Sequence, residues 1–460
     1  MLLIFSMVLL YLFLGKAKQY YEISFGHQAC VVAAVGVGIS YVMKIKEGQT
    51  MQDLVEFNDN LFFYFCLPPL VFASGFNMQR KKFFENITNI VLFGVVGTIT
   101  SFVIFASLVI WLTKQSNAEN GIFLWQTNGV TGETIAVNLT LVDILSMCAL
   151  LCSTDVIAAI SMVSYNKYPK LFSLLFGESV VNDAVAIILF NTMQKLNDIE
   201  IGKSTIPTMI GQFFLLSILS LMIGFCYGAL ASLILKKFRV ITRDAISECI
   251  LLFSIGYICY VTAEWLKQSG IIALLTCGAM MANYAWYNLS PQGRQGTALV
   301  FEFLGNGMQG FIFAYLGLTF FAYKDYDWSP SLAMYMLPIV IIGRFGSTLG
   351  LIKVLEWCCC YNSGVRWQEV FFIGFAGIMR GAIAFGLTTR LPHTMANRGV
   401  VITTALSLVL GTIIFFGLWV GLVGNWAMDT KQEVGKKEYE RLPVDEDDHF
   451  QKAKHIELAL

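Results

Sequence analysis

The densest group of side chains able to do chemistry lies in the segment 177–185, which reads GESVVNDAV. It places the carboxylates of Glu178 and Asp183 close together, with an amide and a hydroxyl between them. On a helix Glu178 and Asn182 would share a face, and Asp183 would lie about 100° away. Two neighbouring carboxylates are expected to have different roles, because a nearby cation can keep one of them ionised while the other gains and loses a proton.

Two arginines in other apolar segments, Arg344 and Arg380, could supply the cation that pairs with one of these carboxylates. A charge inside an apolar environment needs a partner or a function. We therefore predict that Glu178 and Arg344 form a buried structural pair, and that Asp183 is the titrating ion ligand. The alternative is that Asp183 is also paired and inert.

A second polar group, Ser153-Thr154-Asp155, interrupts another apolar segment. Hydroxyl, carboxylate and freed carbonyl oxygens suit a hard cation such as Na⁺. Taken alone, the group is equally well explained as a kink at a polar patch. The segment near 368–389 is interrupted in a comparable way by glycines and Arg380. Interruptions in both halves of a chain indicate the binding site of a transporter.

The composition places these groups in a membrane. Of the 460 residues 56% are hydrophobic and 13% charged, whereas soluble proteins carry roughly 25% charged residues. The sequence predicts an all-α polytopic membrane protein with about thirteen spans, in two inverted halves linked by the seventh. The spans are expected near 1–14, 26–43, 58–76, 88–113, 140–163, 170–194, 208–235, 246–266, 270–286, 297–323, 331–354, 368–389 and 399–427. Residues 1–428 would form the membrane domain and 429–460 a short tail.

Charge distribution predicts the orientation. Basic residues cluster at 80–82 and 236–239, which places these loops and the tail in the cytoplasm and the N-terminus outside or in a lumen. The sequon Asn138-Leu139-Thr140 would then be luminal. Cysteines 358–360 at a membrane boundary could be palmitoylated, or could be an unmodified cluster at the membrane edge.

Several function classes fit poorly. Equal numbers of basic and acidic residues, 31 each, argue against nucleic acid as a partner, and four scattered histidines argue against a histidine metal centre. A membrane aspartyl protease using Asp155 and Asp183 would need a GxGD motif that the sequence lacks. We therefore expect no enzyme activity and no cofactor. An ion channel could use similar polar groups, and coupling of ion flux to protons would separate the two functions.

Four segments together resemble the eukaryotic sodium/proton exchanger family. They are LPPLVF at 67–72, STD at 153–155, FGESVVNDAVAI at 176–187 and RGAIAF at 380–385, in the order found in that family. The long FGES…NDA…AI string is highly specific, whereas LPP or RGA alone would be weak. The segments 287–290 and 311–317 resemble most closely the organellar branch, found in endosomes and the Golgi.

The resemblance implies a homodimer in which a core domain moves like an elevator against a dimerisation domain. It implies electroneutral exchange of Na⁺ or K⁺ for H⁺, regulating luminal and cytosolic pH, in an organellar or plasma membrane. An Asn–Asp pair is typical of electroneutral members. The implied ion site comprises Asp183, Asn182, Thr154, Asp155 and Ser179, supported by Glu178, Arg344 and Arg380; Asp183, Asn182 and Thr154 would hold the transported cation.

Three positions depart from the family pattern. Val156 replaces the usual proline after Thr-Asp, and the acid that commonly precedes the Phe-Ile-Phe run is replaced near Gln309-Gly310. The stretch at 377–380 is one residue longer than the usual form. The first makes the helix break less assured, and the second could alter helix contacts or pH response. The departures leave open a transport-inactive relative that serves as a structural membrane subunit. Intact Asp183, Asn182 and Thr154 favour the exchanger.

Overall fold

The structure is a computed structural model, and it describes most of the chain outside the tail. The described residues are 2–21, 26–46, 59–78, 80–118, 124–129, 133–163, 167–195, 205–321, 323, 326–359, 365–392, 394–395 and 397–429. The predicted tail beyond residue 429 and Cys360 lie outside them, as do the side chains of residues 80–82 and 358–359.

Within these ranges the chain is almost entirely helical, as predicted. The helices are α1 (Leu2–Tyr20), α2 (Gln28–Lys46), α3 (Asp59–Leu61), α4 (Leu67–Phe76), α5 (Arg80–Glu85), α6 (Ile87–Val91), α7 (Gly97–Ala118), α8 (Leu141–Cys152), α9 (Ile157–Ile160), α10 (Pro169–Lys195), α11 (Thr205–Lys237), α12 (Ala245–Trp265), α13 (Gly270–Met280), α14 (Pro291–Thr319), α15 (Pro330–Phe345), α16 (Leu351–Cys359), α17 (Trp367–Ala376), α18 (Ala382–Thr389) and α19 (Arg398–Asp429).

Nine helical stretches in the described part of the chain are long and apolar enough to cross a bilayer. Two more predicted spans contain shorter apolar helices, Gln28–Met43 and Phe62–Phe76. The span expected near 368–389 is divided between α17 and α18. The chain is therefore a multi-pass membrane protein, and the number of about thirteen spans stays a prediction.

The long helices form two bundles, defined by which helices pack together. One bundle, named the crossing bundle, contains α7, α8, α10, α15, α17, α18 and α19. The other, the flanking bundle, contains α1, α2, α4 and α11 to α14. Fewer contacts join the bundles, chiefly between α2 and α19, α10 and α11, and α14 and α18. All the predicted site residues lie on helices of the crossing bundle or in the non-helical breaks beside α8 and α18.

A π-helical turn, Leu92–Val96, lies between α6 and α7 and brings α7 close to the site helix α10. Gly94 faces Val181 so closely that an added Cβ would lie 2.7 Å from the Val181 Cβ. Only glycine allows this approach, and π-turns inside helices occur frequently at functional sites. The turn therefore fixes which α7 side chains reach α10.

A short β-hairpin in the described part of the chain was not predicted. Strands β1 (Trp125–Thr127) and β2 (Thr134–Ala136) pair antiparallel between α7 and α8. After them, Thr140 and Asp143 form a reciprocal capping box that starts α8. The Asn397 amide donates to the Asp143 carboxylate over 2.7 Å, which links the start of α8 to the start of α19. These contacts hold the N-terminal end of α8 in place.

Candidate functional site

The site is built where two broken helices meet. Helix α8 ends at Cys152 and helical structure resumes at Ile157; α17 ends at Ala376 and α18 begins at Ala382. The backbone N–H of Asp155 donates to the carbonyl of Met379 over 2.9 Å, joining the two breaks. The predicted interrupted crossing helices are therefore confirmed.

The break in α8 forms without a proline because other groups satisfy its backbone. Ser153 is extended, with φ −60° and ψ 129°, which ends the helix. The Asp155 carboxylate accepts from the N–H of Ile157 at 3.1 Å and so caps the next helical turn. Val156, the departure from the family's proline, is buried and compatible with the break.

Arg380 binds the C-terminal end of α8. Its guanidinium Nη1 donates to the carbonyls of Cys152 and Ser153, at 3.3 and 3.4 Å. A cation there complements both the freed carbonyls and the negative end of the helix dipole. Arg380 is 1% exposed and lies 5.5 Å from the centre of the Phe105 ring. It therefore contacts the backbone of the break, whereas its Nε and Nη2 find no hydrogen-bond partner among the described residues.

Glu178 and Arg344 lie in direct contact as an ion pair inside the crossing bundle. Their side chains are 1% and 2% exposed. Gly377 lies against the guanidinium of Arg344 and leaves no room for a side chain there. The pair connects α10 to α15, and the backbone of the α17 break covers it.

Asp183 has different surroundings. Its Oδ1 accepts a 2.6 Å hydrogen bond from the hydroxyl of Ser153, at the end of α8. Within the part of the chain that the structure describes, no Lys, Arg or His side chain pairs with it. Ser179 lies one helical turn earlier on the same face of α10 and is buried. Asp183 is therefore a carboxylate held by a hydroxyl rather than by a cation.

Asn182 is fully buried and bridges α7 and the α8 break. Its Nδ2 donates to Thr154 Oγ1 at 2.7 Å. Its Oδ1 accepts from Thr98 Oγ1 at 2.9 Å. In this arrangement the amide holds Thr154 in place, and Asn182 and Asp183 contact different residues of the same break.

A cleft between the bundles reaches Asp155. Its lining includes His27 and Cys30 at the start of α2, Gln309 of α14, and Met379 of the other break. Gln309 is 4% exposed, and its Nε2 has no hydrogen-bond partner within the described ranges. Gln309 thus places a neutral amide in the cleft that Asp155 lines.

Hydrogen bonds connect four of the five predicted ion-site residues, Asp183, Asn182, Thr154 and Asp155, to the crossing, and Ser179 lies one helical turn before Asp183 on α10. The structure adds three groups that the sequence did not single out: Thr98, the Ser153 hydroxyl as donor to Asp183, and the Met379 carbonyl. A hydroxyl inside an apolar run was the available signal for Thr98. Among the described residues no three His, Cys, Asp or Glu side chains lie close enough together to hold a metal ion. A cation at the crossing would need hydroxyl and carbonyl oxygens beside the carboxylates.

Comparisons with known proteins agree with the fold. Sodium/hydrogen exchanger 1 of Oryza sativa subsp. japonica is 29% identical over 406 residues, 85% of this chain and 72% of that protein. The endosomal/prevacuolar sodium/hydrogen exchanger of Saccharomyces cerevisiae is 27% identical over 411 residues, 85% of this chain and 61% of that protein. Both relatives are named as exchangers, that is, as transporters rather than enzymes.

A solved structure shares the architecture. The sodium proton antiporter MjNhaP1 of Methanocaldococcus jannaschii superposes with a TM-score of 0.62 at 13% identity, covering 92% of this chain and 97% of that one. At that identity the likeness concerns the fold. The family profile described as "Sodium/hydrogen exchanger, transmembrane" matches residues 4–426, nearly all the described chain. The chain therefore belongs to the sodium/hydrogen exchanger family.

Proposed function

We propose that this protein exchanges Na⁺ or K⁺ for H⁺ electroneutrally, with Asp183 binding the proton and the cation in turn. The observation that carries the proposal is the contrast on α10: Glu178 is neutralised by Arg344, whereas Asp183 is held by the Ser153 hydroxyl. A carboxylate without a fixed counter-charge can exchange one cation for another. The crossing of two broken helices supplies oxygen atoms beside it.

Competition for Asp183 would couple the two fluxes. A position within the membrane-spanning bundle disfavours a bare carboxylate, so the site is neutralised by either a proton or a metal ion. The neutralised site can change its exposure from one side to the other, whereas a bare charge meets a cost of about 2.5–3.5 kcal/mol or more inside a bilayer. Since Asn182 is neutral, one charge is exchanged for one charge in each cycle.

The assigned roles follow from the contacts. Asp183 and Thr154, with Ser179 and Asp155 nearby, offer oxygens to the cation, and Asn182 holds Thr154. Glu178 and Arg344 stabilise α10 against α15, and Arg380 stabilises the break in α8.

We further propose a homodimer in an endosomal or Golgi membrane that regulates luminal pH and cation content. The name of the yeast relative supports the endosomal membrane. The homodimer is proposed from the resemblance to the exchanger family alone.

The test is transport by purified protein in liposomes that contain a pH-sensitive dye. With a proton gradient imposed, Na⁺ or K⁺ added outside should drive proton movement in the wild type. Asp183→Asn should abolish it while leaving the protein folded and monodisperse. Asp244→Asn is the matched control, because Asp244 caps α12 and asparagine caps equally well.

Normal exchange by folded Asp183→Asn protein would remove Asp183 from the mechanism. Folded wild-type protein that moves protons with neither cation would favour the transport-inactive structural subunit instead. Comparing Na⁺ with K⁺ in the same assay decides the preferred cation.

A further inference from the structure

Thr98, near the start of α7, is a buried polar residue to which the proposed function gives no role. It is 1% exposed, and its Oγ1 lies 2.5 Å from the carbonyl oxygen of Gly94 and 2.9 Å from Oδ1 of Asn182. The π-helical turn Leu92–Val96 produces this position, since it lets Gly94 pack directly on Val181 of α10.

A threonine hydroxyl carries one proton and therefore cannot donate to both acceptors at once. When Thr98 donates to Asn182 Oδ1, the amide nitrogen faces Thr154 and donates to it. When Thr98 donates to Gly94, its oxygen can accept from the Asn182 amide nitrogen instead. The amide is then rotated by half a turn, and Oδ1 accepts from Thr154.

The two arrangements present different faces of Thr154 to the site. In the first, the Thr154 oxygen accepts from Asn182, and its proton is free to donate to another acceptor. In the second, the Thr154 hydroxyl donates to Asn182 Oδ1, and both lone pairs of its oxygen are free for a cation. Both arrangements give each buried side chain of the series Thr98–Asn182–Thr154 at least one hydrogen-bond partner, as buried polar groups require.

We propose that Thr98 is a positioning residue that sets, through the Asn182 amide, whether Thr154 presents a proton or lone pairs to the ion site. The inference rests on the proposed function, because it deepens the role of the same site. Thr98 acts without touching the cation. Its hydroxyl rotates so that it donates to the Gly94 carbonyl instead of to Asn182 Oδ1, and this rotation makes the cation-ready arrangement available.

The experiment compares three variants in the liposome assay, with KM and kcat measured for Na⁺ and for K⁺. Thr98→Val keeps the shape and removes the hydroxyl, and Thr98→Ser keeps the hydroxyl. Thr113→Val is the matched control, because Thr113 is buried on the same helix and donates to the carbonyl four residues earlier, at 2.8 Å.

Thr98→Val should raise the KM for the cation about tenfold and leave kcat within about twofold, because one buried Asn182 group loses its partner. Thr98→Ser and Thr113→Val should stay close to the wild type. Equal KM values for Thr98→Val and the wild type would overturn the inference, as would a serine variant as impaired as the valine variant. If Thr98→Val does not fold, Thr98→Ala removes the same hydroxyl with a smaller side chain.

A double-mutant cycle tests the route through Asn182. Thr98→Val should add little to Thr154→Val, because the hydroxyl that Thr98 controls is already gone. Additive effects would overturn the proposed route. The outcomes for the two proposals differ: absent exchange in the wild type rejects the proposed function, whereas wild-type exchange with a normal Thr98→Val variant rejects only this inference.

Discussion

Helix α10 carries two carboxylates five positions apart, and their surroundings differ in kind. Glu178 contacts the guanidinium of Arg344, and both side chains are almost completely buried. Asp183 is only partly buried and is held by the hydroxyl of Ser153. A cation tied to the fold gives one carboxylate a permanent partner, whereas a hydroxyl leaves the other open to mobile ions. The same helix can therefore be a structural support and an ion site.

The largest effect is expected on folding, when Glu178 or its partner Arg344 is replaced. Glu178→Gln or Arg344→Gln leaves one buried charge uncompensated, which costs about 3–5 kcal/mol. We expect much lower yield and thermal stability from each single variant, measured by fluorescence-detected size exclusion and thermal unfolding.

The double variant Glu178→Arg with Arg344→Glu restores opposite charges and should recover part of the yield. Wild-type yield and stability in both single variants, with transport lost, would contradict the structural role and make the pair part of transport.

A smaller effect is expected at the unpaired carboxylate. Ser153→Ala removes the hydroxyl that donates to Asp183, which disfavours the charged, cation-binding form. Since a hydrogen bond to a charged group contributes about 1.5–3 kcal/mol, we expect the KM for the cation to rise by about tenfold or more while exchange persists. Measuring initial rates against cation concentration checks this. Ser153→Thr retains the hydroxyl and serves as control, and an unchanged KM in the alanine variant would contradict the assigned contact.

The smallest effect should come from an ion pair of the same type that is closer to solvent. Arg390 contacts Glu264 at 3.3 Å, with side chains 25% and 18% exposed, and its guanidinium lies 3.6 Å from the centre of the Phe63 ring. Partly exposed pairs contribute about 0.2–1 kcal/mol. Glu264→Gln should therefore lower the melting temperature by only a few degrees, well below the loss for Glu178→Gln. Equal losses for the two would show that burial does not decide the strength of these pairs.

Much of the fold was predictable because a membrane span is recognised from a continuous run of apolar residues in the sequence. Long apolar runs separated by polar residues predicted the helices, and the group 153–155 and the glycines near Arg380 predicted the two breaks. The π-helical turns and the hairpin β1–β2 were not predictable from composition, because they depend on close packing and on strand pairing.

The site was predictable in its residue types and less so in its connections. Glu178 and Arg344 could be paired from the sequence because a buried charge requires an opposite one. Thr98 was missed because a single hydroxyl in an apolar helix often bonds to its own backbone, as Thr113 does. Thr98 also reaches Asn182, because Gly94 packs directly on Val181. The sequence does not show this packing.

The hydrogen bond from Asp155 to Met379 has a mechanical consequence. It joins the midpoints of two helices from opposite halves of the chain, and Arg380 adds bonds from one break to the carbonyls of the other. Sliding one helix past the other would strand these groups in an apolar interior, at a cost of several kcal/mol. The two broken helices therefore have few independent degrees of freedom and behave as one stiff frame. Any displacement that carries the ion must therefore move both broken helices together.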